Sequence, residues 1–190
     1  MHVPADVAAL YMSLAEGDNI TYILSSDLRF VEMNAAWDNF AILNGGESSL
    51  AHWFRGSSLM DTVPAELKRF YSDAFAQAAS TRRRWEHDYE CSSATEFRQY
   101  RMIVYPFSEW FVVTHALLVE KPHEGVAEEP SDQYESRGLI AMCGHCRRVR
   151  SATNPTRWDW VPAYVANPRD NITHGLCTAC YRYYYPTDPV

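Results

Sequence analysis

Four of the chain's five cysteines fall into two pairs, Cys143-Gly-His-Cys146 and Cys177-Thr-Ala-Cys180. In a Cys-x-x-Cys turn the two intervening residues reverse the backbone tightly, so both sulfurs can face one point. Two such turns supply a tetrahedral set of four thiolates, the donor set that suits Zn2+. Cys143, Cys146, Cys177 and Cys180 are therefore the candidate metal ligands. Four thiolates close the coordination shell, which fits a structural metal and leaves no open position for catalysis. His174 stands three residues before the second pair. It is a candidate alternative ligand, but a filled shell favours hydrogen bonding to a ligand, or packing. His145, inside the first turn, is expected to face solvent, and Gly144 to permit the tight turn. Oxidation of zinc-bound thiolates releases the metal, which leaves a redox role open.

These ligands need elements to hold them. Arg147 to Arg150 should leave the first turn as a strand. The second pair lies where a short helix should start, with Gly175 before it and Pro186 after it. Free N–H groups at a helix start stabilise thiolates. A knuckle, a hairpin and a helix carrying the last two ligands form the layout of a treble-clef zinc module. Residues 138–190 have only Trp158, Trp160, Val161, Tyr164 and Val165 as obvious core, too little to fold alone. Structural zinc contributes on the order of 10 kcal/mol in small peptides, enough to decide the matter.

The length of 190 residues allows one ordinary domain upstream of this small one. Residues 1–16 lack the basic and apolar regions of an export signal, so the expected compartment is the cytoplasm. Reduced thiols fit that setting better than disulfides. The unpaired Cys91 reads as a small buried hydrophobe. No run of eighteen apolar residues exists, so no membrane span is expected. The net charge of −7 is uneven: residues 1–138 hold 11 basic and 21 acidic side chains, and residues 139–190 hold 6 and 3. Four thiolates on one Zn2+ would bring the basic tail close to neutrality. Arg147, Arg148, Arg150, Arg157 and Arg182, with nearby tryptophans and tyrosines, leave nucleic-acid binding open as an alternative, but a neutral module beside an acidic domain disfavours it.

Upstream, residues 4–16 read as an amphipathic helix, either a cap on the following sheet or a dimer-forming element. Strands are expected at Ile20 to Ser25 and Arg29 to Met33. A helix should start at Asn34, whose side chain would cap it. Pro64 opens a longer helix with a stripe of Leu67, Phe70, Tyr71, Ala74, Phe75 and Ala78. Three strands follow, over 84–91, 97–105 and 110–119. In the first, Trp85, His87, Tyr89 and Cys91 share one face, and Glu86, Asp88 and Glu90 share the other, toward solvent. The order predicts an α+β fold with one antiparallel sheet and helices on one face. An acidic stretch over 121–137, with Pro122, Gly125 and Pro130, reads as a linker. The expected division is thus a cap helix at 1–17, a sheet domain at 18–120, a linker at 121–137 and a zinc module at 138–190.

The strand pair Ile20–Met33, the helix start Asn34-Ala-Ala-Trp37, Gly56 before the Pro64 helix and the three closing strands resemble a PAS domain. The resemblance covers about residues 10–120. It implies a five-stranded sheet that senses a small ligand or docks a partner, with a pocket that would take in Trp85, His87, Tyr89 and His115. The tail, with Cys143-Gly-His-Cys146-Arg-Arg-Val-Arg150, Trp158, His174-Gly-Leu-Cys177 and Tyr185-Pro186, resembles a cysteine-rich module that follows PAS or receiver domains in bacterial signalling proteins. Together the resemblances imply a sensor that acts through a protein partner, with a homodimer through the PAS domain and N-terminal helix as a further expectation. Haem held by His87 or His115 is an alternative, set against ordinary hydrogen-bonded sheet histidines. No glycine-rich phosphate loop, nucleophile elbow or HExxH motif occurs, so no enzyme is expected.

Overall fold

The structure, a computed structural model, describes residues 2–46, 50–124, 126 and 131–188. The chain divides into two compact units. Met1–Val63, Tyr71–Tyr89 and Tyr100–Leu118 form the first, and Pro64–Phe70, Glu90–Gln99 and Val119–Val190 the second.

In chain order the elements are α1 (Ala5–Ala15), β1 (Ile20–Ser25), β2 (Phe30–Met33), α2 (Ala35–Leu43), α3 (Ala51–Phe54) and α4 (Leu59–Thr62). A 3-10 turn at Ala65–Leu67 leads into α5 (Lys68–Thr81), and β3 (Trp85–Glu90), β4 (Glu96–Pro106) and β5 (Trp110–Pro122) follow. The five strands make one sheet in the order β2-β1-β5-β4-β3. The strand β1 runs antiparallel to both neighbours, with Tyr22 opposite Met33 on one side and Val113 on the other. The fold is α+β with a five-stranded antiparallel sheet and helices packed on it.

Because β1 and β5 are central, they are buried on both faces. Tyr22, Leu24, Phe111 and Val113 point to one side, where Phe30, Leu59, Phe75 and Ala78 complete a core. Ile23, Trp110 and Val112 point to the other, where Val7 of α1 is buried against them and Leu10, Tyr11 and Leu14 pack around it. The expectation of helices on one face is therefore corrected: α1 covers the second face. The cause is in β1 itself. Its apolar residues fall on both sides of the pleat, so each side needs a cover.

Asn34 also does something other than expected. It sits before α2, but its side chain makes no capping bond there. Its Oδ1 accepts the Thr21 N–H at 3.0 Å, and its Nδ2 donates to the Asn19 carbonyl at 2.9 Å. The residue is buried and ties the start of β1 to the end of β2. Removing it leaves two backbone groups unsatisfied. We expect Asn34→Ala to lower the unfolding free energy by about 1–3 kcal/mol in urea titration. An unchanged midpoint would rule this role out.

The second unit adds α6 (Ser131–Tyr134), β6 (Glu135–Ser136), β7 (Leu139–Cys143), β8 (Val149–Arg150), β9 (Trp158–Asp159), α7 (Pro162–Ala166), β10 (Ile172–Gly175) and α8 (Thr178–Tyr184). Its sheet runs β10-β7-β8-β9, with β6 also paired to β7. The strands β10 and β7 are parallel, from Ile172 opposite Ile140 to Gly175 opposite Cys143. Tyr134, Ile140, Met142, Val149, Val161 and Tyr164 form the core. Of the stretch 121–137 read as linker, Gly125 and residues 127–130, including Pro130, lie outside the described residues. Its end is folded: Tyr134 is buried and donates to the Asp159 carboxylate at 3.0 Å. Among the described residues no helix is long and apolar enough to cross a membrane.

Candidate metal centre

The strand β7 ends at Cys143, and β10 runs beside it in parallel until Gly175. The chain then turns into α8, with Cys177 at its N-cap and Cys180 in its first turn. This register brings both Cys-x-x-Cys turns to the same end of the small sheet. All four cysteines are buried, and their sulfurs lie within 4.8 Å of one another. None is in a disulfide. The Cys146 and Cys177 sulfurs are 3.8 Å apart. That matches the edge of a tetrahedron with zinc–sulfur bonds of about 2.3 Å, which is about 3.8 Å. The donor set, its burial and this spacing fit Zn2+.

The first turn is closed by backbone bonds. The Cys143 N–H donates to the Arg148 carbonyl at 2.9 Å, and the Arg147 N–H to the Cys143 carbonyl at 3.0 Å. Arg147 takes the left-handed backbone, with φ of +58°. Gly144 does not, so its expected role is revised. A Cβ there would lie 3.1 Å from a Glu66 carboxylate oxygen and 3.5 Å from the Pro64 Cβ. A side chain there would have to push the Glu66 carboxylate aside by a few tenths of an ångström, while the left-handed position of the turn falls on an arginine.

Donors converge on the sulfurs. The Cys177 N–H points to Cys143 Sγ and the Cys180 N–H to Cys177 Sγ, each at 3.4 Å. For Arg148, burial works against the charge, but its attraction to the Cys146 sulfur and to Glu90 outweighs that and raises its pKa. Glu90 holds the same guanidinium at 3.2 Å. Glu90 was expected to face solvent with Glu86 and Asp88. No local signal marks it, because its partner lies 58 residues away.

His174 is exposed on β10 and is not among the clustered donors. His145, expected in solvent, is instead half-buried. Its Nε2 accepts the Glu90 N–H at 3.4 Å, so its Nδ1 carries the proton toward the Tyr184 hydroxyl at 3.0 Å. Burial lowers its pKa, outweighing the attraction of Cys143 and Glu90. Of the five arginines considered for nucleic acid, Arg148 is held as described and Arg157 pairs with Asp159 at 2.9 Å. Arg147 reaches the Ser92 carbonyl at 3.4 Å, and Arg150 lies over the Trp158 ring at 6.0 Å. Arg182 is exposed. Arg148 and Arg157 are thus paired with carboxylates of the same unit.

In the first unit, Trp85 and His87 stack with ring centroids 5.6 Å apart. Tyr89 and His115 meet edge to face at 5.5 Å. Both nitrogens of His115 are used: Nδ1 lies 2.7 Å from the Tyr89 hydroxyl and Nε2 3.0 Å from the Tyr22 hydroxyl. Burial pulls the His115 pKa down to about 4, so the ring is neutral. A metal at His115 would first have to displace a tyrosine. Sequence reasoning found the histidine and Tyr89 but missed Tyr22, which comes from the strand beside it.

No protein-family model matches the chain, and no curated relative does. Solved structures are similar at low identity. A domain of an HTR-like protein from Haloarcula marismortui is 13% identical, with a TM-score of 0.41 over 54% of this chain and 100% of that one. The PAS domain of Bordetella pertussis BvgS is 14% identical, with a TM-score of 0.44 over 60% and 86%. The PAS domain of nitrogen regulation protein NR(II) from Vibrio parahaemolyticus is 15% identical, with a TM-score of 0.37 over 61% and 100%.

Proposed function

We propose that the chain is a non-enzymatic signal-transduction protein. In this reading a PAS-like sheet domain at 18–120 receives a small ligand or a partner. A module at 138–190, with Tyr134 of the preceding stretch in its core, is held by a structural Zn2+ on Cys143, Cys146, Cys177 and Cys180. The observation that carries it is the buried set of four sulfurs within 4.8 Å of one another. Zinc would supply charge neutralisation and crosslinking there, with no open position for substrate. The module fits a treble-clef description, since a knuckle, a short hairpin and a helix N-terminus deliver the ligands. Output would pass to a protein partner or a second copy of the chain, with α1 and its exposed Met12 as one available surface.

The test is elemental analysis and a visible spectrum on protein purified without chelators. The expected result is one zinc per chain and no Soret band. A metal-free, fully folded second unit would sink the zinc reading. A Soret band would redirect attention to a haem-binding sheet domain, against the doubly bonded state of His115.

A further inference from the structure

The four sulfurs are not equivalent. A cleft of about 640 Å³ opens on the cluster, and Cys146, Cys177 and Cys180 line it beside Arg182 and Tyr183, while Cys143 does not. Exposure rises in step, from 0% at Cys143 to 3% at Cys146, 5% at Cys177 and 9% at Cys180. Hydrogen bonds add a second asymmetry. Once sulfurs are held as thiolates, a donor aimed at one spreads its charge and lowers its intrinsic nucleophilicity. Cys143 and Cys177 each receive a backbone N–H. Among the described residues no backbone N–H donates to Cys180.

We propose that Cys180 is a modification site, the thiolate through which soft electrophiles and hydrogen peroxide attack this cluster by way of the cleft. Cys177, its partner in the same Cys-x-x-Cys turn, is the resolving thiolate. With peroxide, the Cys180 sulfur attacks one oxygen; the O–O bond breaks, hydroxide leaves and a sulfenic acid forms. The Cys177 thiolate then attacks the Cys180 sulfur; the S–S bond forms, the S–O bond breaks and a second hydroxide leaves. Two thiolates lose two electrons, peroxide gains them, and solvent protons convert both hydroxides to water. Metal release in this step rests on the zinc reading above, since two of the four donors are consumed. The order of thiol reactivity does not.

The experiment uses the full chain purified without chelator, with its zinc content measured first. A substoichiometric dose of N-ethylmaleimide, followed by peptide mass spectrometry, reads the order in which the cysteines react, with Cys91 followed as a separate site. Hydrogen peroxide treatment is read by disulfide mapping and by zinc release. The expected result is labelling of Cys180 about tenfold ahead of Cys143, and a Cys177–Cys180 disulfide formed as zinc leaves. Labelling of Cys143 or Cys146 ahead of Cys180, or a disulfide without Cys180, overturns the proposal. A chain without zinc counts against the metal reading, while the labelling order still decides this one.

Discussion

Replacing Cys143 with serine, or stripping metal with a strong chelator, is expected to cost residues 139–188 their protection from amide hydrogen exchange. Segments 64–70 and 90–99 should lose protection with them. The effect is large because the module's core is small and its metal contribution is on the order of 10 kcal/mol in comparable peptides. The two extra segments follow from contacts inside the second unit. The Tyr185 hydroxyl donates to the Glu66 carbonyl at 2.6 Å. Phe70 meets Tyr184 edge to face at 4.8 Å. Glu90 holds Arg148 at 3.2 Å. His123, beside the 90–99 hairpin, stacks on Trp160 at 3.9 Å. All of these depend on the tail keeping its shape. Strands β1 and β5 at 20–25 and 110–115 belong to the first unit and should stay protected. Full protection of 139–188 after verified metal removal would refute the structural role. Loss confined to 139–188 would refute the shared unit.

Acid should weaken the first unit through His115. Its pKa is about 4 when folded against an ordinary value of 6.5, so the unfolded chain binds the proton first as pH falls. The stabilisation is therefore complete above pH 6.5, is lost between 6.5 and 4, and changes little below that. The loss amounts to about 3 kcal/mol, since each tenfold change in proton affinity is worth about 1.4 kcal/mol. Carboxylates titrate in the same range, so the measurement is a difference. His115→Gln keeps a group able to bond Tyr22 and Tyr89 but cannot take the proton. Urea unfolding of both chains at pH 7.5 and pH 4.5 should give the wild type an extra loss of about 2–3 kcal/mol. Parallel curves for the two proteins would mean that His115 is already charged or solvated in the fold.

Local chemistry explains what could be read before any fold was known. The Cys-x-x-Cys spacing is a property of four consecutive residues, so the sulfur set is legible in the chain alone. Strand alternation in 84–91 and the stripe of the Pro64 helix are also short-range, and both elements form. Asn34 marks the limit. Its side chain has a plausible local use as a cap, yet it bonds to Thr21 and Asn19 at the neighbouring strand. Gly144 and Arg147 mark it again: the glycine does not take the left-handed backbone and the arginine three residues on does.

Residue types and short spacings were enough to name the candidate ligands, the α+β order of elements and the charge contrast between the two parts of the chain. Each of those depends on neighbours within a few residues. Packing between distant segments settled the rest: both faces of the large sheet are covered, Glu90 and Arg148 meet, and His145 is held while His174 is exposed. The same packing opens a cleft on three sulfurs and leaves the fourth closed. These features join groups far apart in the chain, and no local pattern encodes the contacts that bring them together. In the sequence the cysteine pairs are four equal donors; burial and hydrogen bonding make them four unequal ones, with Cys143 most enclosed and Cys180 most open.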